Sequence, residues 1–210
     1  MDFAALTEEE SPMSPRGRYI AFEGWEASGK STQAQLLAKR LDAVLTREPG
    51  GTDLGERIRE LLLGDGPPPT ERAEALLFAA DRAQHLAEVV EPCLAAGRDV
   101  ITDRSYGSTL AYQGYGRGQS VEELMNLAEW SSGGLLPDKV ILLTVEAELA
   151  DKRLGPQRDR MESENVAFAR RVIDGFIQLA SEDSRRWVII DGVGSVEEVA
   201  ERVNAVVEAR

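Results

Sequence analysis

The sequence predicts an α/β fold, a five-stranded parallel sheet flanked by helices. Three observations carry this. Short runs rich in β-branched residues recur at 19–22, 44–46, 99–102, 139–144 and 187–190. Long segments with apolar residues at helical spacing, such as 71–96 and 121–130, separate them, and strands that alternate with helices build parallel sheets. Several runs end in polar residues: Glu23 and Gly24, Arg47 and Glu48, Asp103 and Arg104, Asp191. Open α/β sheets bind ligands beyond the carboxyl ends of their strands, so these groups are expected around one crevice.

Composition narrows what that crevice holds. The chain has 210 residues, 42% hydrophobic and 29% charged, with a formal net charge of −13. Such a balance suits a soluble globular protein and argues against a broad nucleic-acid surface, which needs clustered lysine and arginine. A nucleotide site would be a local basic spot on an acidic body. The single cysteine, Cys93, has no partner for an intrachain disulfide. No apolar run is long enough to span a bilayer, so neither a membrane nor a nucleic-acid partner is expected, and the expected location is cytoplasmic. Residues 1–16 carry Glu8-Glu9-Glu10-Ser11-Pro12 and no basic leader, and read as a flexible tail, with Met13 an alternative start. Residues 17–210 are expected to form a single domain.

Taken in order, the first run leads into Gly24-Trp25-Glu26-Ala27-Ser28-Gly29-Lys30-Ser31-Thr32. It fits G-x-x-x-x-G-K-[ST] between a strand and a helix, where backbone N–H groups wrap phosphates, Lys30 reaches the outer ones and the Ser31 hydroxyl can ligate Mg²⁺. The second run ends in Arg47-Glu48-Pro49-Gly50-Gly51-Thr52, by itself a sharp turn. Pro67-Pro68-Pro69 reads as a stiff loop between helices. In the following helix Phe78 and Arg82 share a face at i, i+4; they could stack on a base and bond its carbonyl, or be a core phenylalanine beside a solvated arginine. His85 reads as a polar flank of this helix. After the third run, Asp103 sits where a carboxylate helps to hold Mg²⁺ and water. The polar segment Ser108-Thr109-Leu110-Ala111-Tyr112-Gln113-Gly114 suits a nucleobase and sugar. Trp130 and Trp187 read as packing residues.

These motifs, in this order, resemble the thymidylate kinase family: the phosphate loop with Glu26 in its middle, Arg47 to Thr52, Leu77-Phe78-Ala79-Ala80-Asp81-Arg82-Ala83-Gln84-His85, Asp103-Arg104 and Ala111-Tyr112-Gln113-Gly114. The resemblance runs from about Arg18 to the C-terminus and implies a P-loop kinase fold with a lid segment, here about 154–163. It implies transfer of a phosphoryl group from MgATP to dTMP, giving dTDP for dTTP synthesis and DNA replication. Gly24 to Thr32 and Arg153 would bind ATP, with Ser31 and Asp103 at the metal. Glu26 would face the acceptor sugar, Phe78 would stack on thymine, and Arg82, Thr109 and Gln113 would bond the base. Tyr112 would pack on the deoxyribose; Arg59 and Arg104 would grip the acceptor phosphate. Glu48, with Asp103, would lie close to the metal and the reacting phosphates, and Pro49 and Ser108 would line the dTMP site. The phosphate loop lacks an arginine, which leaves Arg158 and Arg160 of the lid, with Lys30 and Asp103, as the catalytic groups.

The resemblance also implies a homodimer, with apolar faces around 71–96 and 106–111 as contributors. Trp25 and Ala27 depart from the aliphatic residue and glycine expected in the loop. Rival readings are a kinase for another pyrimidine nucleotide, an inactive homologue used as a binding module, and a GTPase switch. The last lacks an Asn-Lys-x-Asp guanine-reading segment.

Overall fold

The computed structural model of the chain describes residues 15–146, 149–150, 153, 161 and 164–208. Five strands form one sheet: β1 (Tyr19–Glu23), β2 (Val44–Arg47), β3 (Val100–Asp103), β4 (Lys139–Thr144) and β5 (Trp187–Asp191). Their order is β2-β3-β1-β4-β5 and every pairing is parallel. Register puts Asp103 beside both Phe22 and Arg47, so the polar strand ends found in the sequence lie along one edge.

Alternation along β1 and β4 divides the core in two, because successive side chains of a strand point to opposite faces. Ile20, Phe22, Ile141 and Leu143 pack on one face with Ala34, Leu37, Val199 and Val203. Those partners come from α1 (Lys30–Leu41) and from the last helix, α8 (Val196–Glu208). Ala21, Val140 and Leu142 face the other way, against Tyr106, Leu110, Phe176 and Trp187. A sheet covered on both faces explains why the β1 and β4 runs are apolar rather than alternating.

The helices between are α2 (Asp53–Leu63), α3 (Glu71–His85), α4 (Glu91–Ala95), α5 (Tyr106–Thr109), α6 (Val121–Ser131) and α7 (Val166–Glu182). Three of these begin at side-chain caps: Thr52, Ser120 and Asn165 accept from the backbone N–H of Gly55, Glu123 and Phe168. Such caps satisfy N–H groups that the helix cannot. The expected single helix over 71–96 is instead α3, a π-helical stretch at Leu86–Val90 and α4. Pro92 at the start of α4 cannot donate to the preceding turn, and the π turn lies just before it. A second π-helical stretch, Leu110–Gly116, follows α5 and carries Tyr112 and Gln113.

Two tryptophan assignments separate here. Trp187 is 3% exposed, and its indole N–H donates to Tyr106 Oη at 3.1 Å. Trp130 is not a packing residue of this fold: it stands 81% exposed on α6. The helical pattern that suggested burial is satisfied by Leu124 and Ala128 on the opposite face of the same helix. Likewise Tyr106, Leu110 and Ala111, expected to contribute to a dimer face, are consumed by the core.

Candidate active site

Two cavities open at the carboxyl edge of the sheet. One, about 560 Å³, lies over Glu26 to Gln33 and reaches Arg153, Gly192, Gly194, Ser195 and Val196. The second, about 660 Å³, is walled by the ends of β2 and β3, by α3 and by the π-helical stretch 110–116. Glu26, Lys30 and Ser31 line both.

The first cavity is built as an anion cradle. Gly24 takes φ 147°, and a Cβ there would lie 2.4 Å from the Leu143 carbonyl. Gly29, at φ 97°, caps α1 with no side-chain hydrogen bond, so the first N–H groups of that helix remain for a ligand, with the positive end of its dipole. Ser28 Oγ is buried without a partner among the described residues, which an anion acceptor would relieve. Ala27 adopts φ 55°. Alanine pays a steric cost at positive φ that the glycine expected here would escape; the loop takes this conformation nevertheless, at roughly 1 kcal/mol relative to glycine. Arg153 reaches the Ala27 and Gly192 carbonyls, both at 3.4 Å, and so joins the phosphate loop to the turn after β5. Gly192, Gly194 and Val196 had no sequence motif to mark them; only the chain crossing back beside the loop reveals them.

In the second cavity charge is buried in pairs. Glu48 and Arg82 are 3% and 4% exposed at their side chains, with Arg82 Nε donating to Glu48 Oε2 at 2.9 Å. The other Glu48 oxygen lies 3.0 Å from His85 Nδ1, and His85 Nε2 lies 2.7 Å from Thr46 Oγ1. Arg82 Nη2 donates to Thr109 at 3.0 Å, while Nη1 is buried with no partner among the described residues. Two expectations are corrected by this chain of contacts. Glu48 is an anchor for Arg82 and His85, both of its oxygens taken, rather than a group turned to metal and phosphates. His85 is not a polar flank but a wholly buried link. The signal lay in the spacing: Phe78, Asp81, Arg82 and His85 fall at helical intervals on the face of α3 turned inward.

Arg104 sits at φ 73° just past β3, a conformation that recurs where structure holds a functional side chain in place. Its guanidinium pairs with Glu26, donates to Ser108 Oγ at 2.8 Å and to Tyr112 Oη at 3.1 Å, and lies over the Tyr112 ring. Tyr112 Oη in turn donates to Glu26 at 2.9 Å, and Lys30 Nζ is 3.4 Å from the same carboxylate. Burial alone would raise the Glu26 carboxyl, but Arg104 and Lys30 beside it hold it down at about 2. Ser108 is committed on both sides, because its hydroxyl also donates to Glu23 at 2.6 Å; it holds Arg104 instead of facing the cavity unencumbered. Glu23, at 0% exposure, takes four donors from Ser105 and Ser108. Burial pushes its carboxyl above the usual range. Trp25, the departure from an aliphatic residue, stacks on Tyr112 with ring centroids 5.6 Å apart.

The remaining expected residues fall in the same wall. Phe78, Pro49, Arg59, Thr109 and Gln113 all line the second cavity, with Arg59 Nη1 donating to the Pro49 carbonyl at 3.0 Å. Ser31 Oγ donates to Asp103 Oδ2, and Asp103 Oδ1 is buried without a partner among the described residues. This is an oxygen-rich donor set of the kind a hard cation takes together with phosphates and water. Arg158 and Arg160 lie outside the described residues, as does most of the expected lid.

Two nucleotide-sized cavities that meet at a phosphate-loop lysine define a P-loop kinase of the nucleotide type. A family model described as thymidylate kinase matches residues 22–203. The chain belongs to the thymidylate kinase family. It is 50% identical over 199 residues to a thymidylate kinase of Synechococcus sp. (strain JA-3-3Ab), covering 91% of this chain and 96% of that one. It is 44% identical over 207 residues to that of Leifsonia xyli subsp. xyli, covering 95% and 98%. The crystal structure of thymidylate kinase from Ehrlichia chaffeensis superposes with a TM-score of 0.77 at 32% identity, covering 92% of this chain and all of that one.

Asp81 was not singled out by the sequence, yet it is wholly buried, with Oδ1 accepting from Gly50 N at 2.8 Å and Oδ2 unpartnered among the described residues. Burial, then the neighbouring Glu48, lifts its carboxyl from 3.8 to about 7. The folded chain therefore binds more protons here than the unfolded chain between these two values. The stability Asp81 contributes is complete at low pH and lost as pH rises through the folded value. Asp81→Asn keeps the acceptor for Gly50 and removes the charge, so its melting temperature relative to wild type should be higher at about pH 8.5 than at about pH 5. An equal difference at both pH values would mean that Asp81 does not titrate in this range.

Proposed function

We propose that this chain transfers the γ-phosphoryl group of ATP to dTMP, giving ADP and dTDP, a step toward dTTP for DNA replication. The observation that carries this reading is the shared floor of the two cavities: Lys30, Ser31 and Glu26 belong to both, so nucleotides in each would meet phosphate to phosphate. ATP lies in the first, its phosphates on the loop N–H groups and Lys30, its base beside Arg153 and the turn 192–196. The acceptor lies in the second. Phe78 stacks on the base, Arg82, Thr109 and Gln113 meet its edge, and Tyr112 backs the sugar, leaving no room for a 2′-hydroxyl. Arg104 and Arg59 hold the acceptor phosphate, and Glu26 keeps Arg104 and Lys30 in register beside it.

The acceptor oxygen is already anionic at neutral pH and attacks in line, so positioning and cationic stabilisation matter more than a general base. Ser31 and Asp103 are the residues that would hold Mg²⁺; Asp103 Oδ1, without a partner among the described residues, supports that assignment. When bound, the ion neutralises phosphate charge. Arg158 and Arg160 supply further positive charge from the lid, whose closure excludes water. The protein works in the cytoplasm, where ATP and dTMP occur; no helix among the described residues is long and apolar enough to cross a membrane. It acts as a homodimer, for which exposed Leu61 of α2 and Leu76 of α3 offer an apolar face.

ADP release coupled to an indicator reaction, with MgATP and each of dTMP, dUMP, UMP and CMP, tests the reading. Turnover should require an acceptor and be fastest with dTMP; ATP consumption indifferent to acceptor would sink it. In the same assay Arg158→Ala or Arg160→Ala should lower kcat by about a hundredfold or more with little change in nucleotide affinity. Unchanged kcat in both variants would place the catalytic arginine elsewhere.

A further inference from the structure

The geometry points to Glu74 as a positioning residue that fixes which end of the Gln113 amide faces the acceptor cavity, and thereby which pyrimidine edge the cavity accepts. The inference rests on the acceptor being a pyrimidine nucleotide and goes on to say how its base is chosen.

Glu74 lies on α3 one turn before Phe78 and is 2% exposed. Its Oε1 accepts from Gln113 Nε2 at 2.9 Å. Arg117 spans the same carboxylate, with Nε 3.3 Å from Oε1 and Nη2 3.4 Å from Oε2. Arg117 is itself held by Glu164 and lies 4.9 Å over the Phe168 ring, so the carboxylate is fixed from two sides. A carboxylate paired with a guanidinium accepts hydrogen bonds and does not donate them. The NH₂ end of Gln113 must therefore turn toward Glu74, and its carbonyl oxygen is the end left for a ligand. Gln113 is 1% exposed and lines the cavity, so a second rotamer has little space.

On the same wall Arg82 presents Nη1, a buried donor with no partner among the described residues. Arg82 and Gln113 both line the cavity, so its wall carries a donor and an acceptor. Thymine and uracil match it with O4 and the N3–H. Cytosine presents the reverse, an amino group beside a bare ring nitrogen, and would leave both protein groups buried and unpaired. Sites that are built around such hydrogen bonds reject the mismatched analogue strongly, because the unpaired groups carry the penalty. Without Glu74 the Gln113 amide could turn over and offer its NH₂ to cytosine. The polarity of the site is therefore set by a residue that touches no substrate.

Calorimetric titration of the full-length protein with dTMP, dUMP and dCMP, with the ATP titration as a reference, tests this. In E74Q the new amide can donate as well as accept, which frees Gln113 to flip. The dTMP-to-dCMP affinity ratio should fall by about tenfold or more, dUMP should follow dTMP, and ATP affinity should stay as in wild type. A wild-type ratio in E74Q, or an equal loss for all three monophosphates, would overturn the assignment. Should E74Q melt too low to titrate, the reciprocal pair E74Q/Q113E answers the same question. In that pair the carboxylate introduced on the π-helical stretch would accept from the amide introduced on α3 and turn its second oxygen to N3–H. The swap should therefore recover a preference for dTMP that Q113E alone, with two facing carboxylates, lacks. Failure of the swap to recover it would count against the role. Failure of wild-type protein to bind dTMP at all would contradict the acceptor reading instead, and the two failures are distinguishable.

Discussion

The buried ion pair between Glu48 and Arg82 is the contact on which the acceptor cavity depends. Glu48 stands just past β2, and Arg82 lies in the last turns of α3, so the pair fastens a strand end to a helix within the cavity wall. Removing water from two charges costs several kcal/mol per ion, and only close geometry with added hydrogen bonds offsets it. Here both requirements are met: Glu48 has Arg82 and His85, and Arg82 also has Thr109. One guanidinium nitrogen, Nη1, is left without a partner among the described residues. A hydrophobic pair of similar volume could hold the two elements together as well, but it would present no fixed donor.

The same logic extends around the wall. A chain with net charge −13 must keep a site for phosphates, and it does so by pairing cations of the wall with acids: Arg104 and Lys30 share Glu26, Arg82 has Glu48, and Arg117 has Glu74 and Glu164. These acids fix the positions of the cations without filling their hydrogen-bonding capacity. The arrangement is set before any ligand arrives, which lowers the ordering cost of binding. Asp81 and Glu23 behave differently from these acids: burial drives both carboxyls up rather than down, and Asp81 also has another acid, Glu48, beside it.

Much of this was legible in the residues. Runs of three to six residues rich in β-branched side chains and bounded by polar strand ends marked the sheet and the edge where ligands sit, because a parallel sheet buried on both faces leaves that signature. The phosphate loop, Phe78 and Arg82 followed from local spacing. What escaped were groups whose role comes from partners distant in sequence. His85 lies 39 residues from Thr46 and 37 from Glu48, and no local pattern tells a buried link from a polar flank. Trp130 misled for the complementary reason: helical periodicity marks an apolar face, but the face that packs is the one carrying Leu124 and Ala128. The turn at 192–196, which lines the phosphate-loop cavity, has no motif because its contribution is backbone shape.

Calorimetric titration of Glu48→Gln with dTMP and with ATP tests the central claim most directly. Glutamine keeps the shape and one acceptor but removes the charge that fixes Arg82. The account predicts that dTMP affinity falls by about tenfold or more while ATP, held in the other cavity, binds as in wild type. Unchanged dTMP affinity, or an equal loss for both nucleotides, would contradict the view that this pair organises the acceptor site.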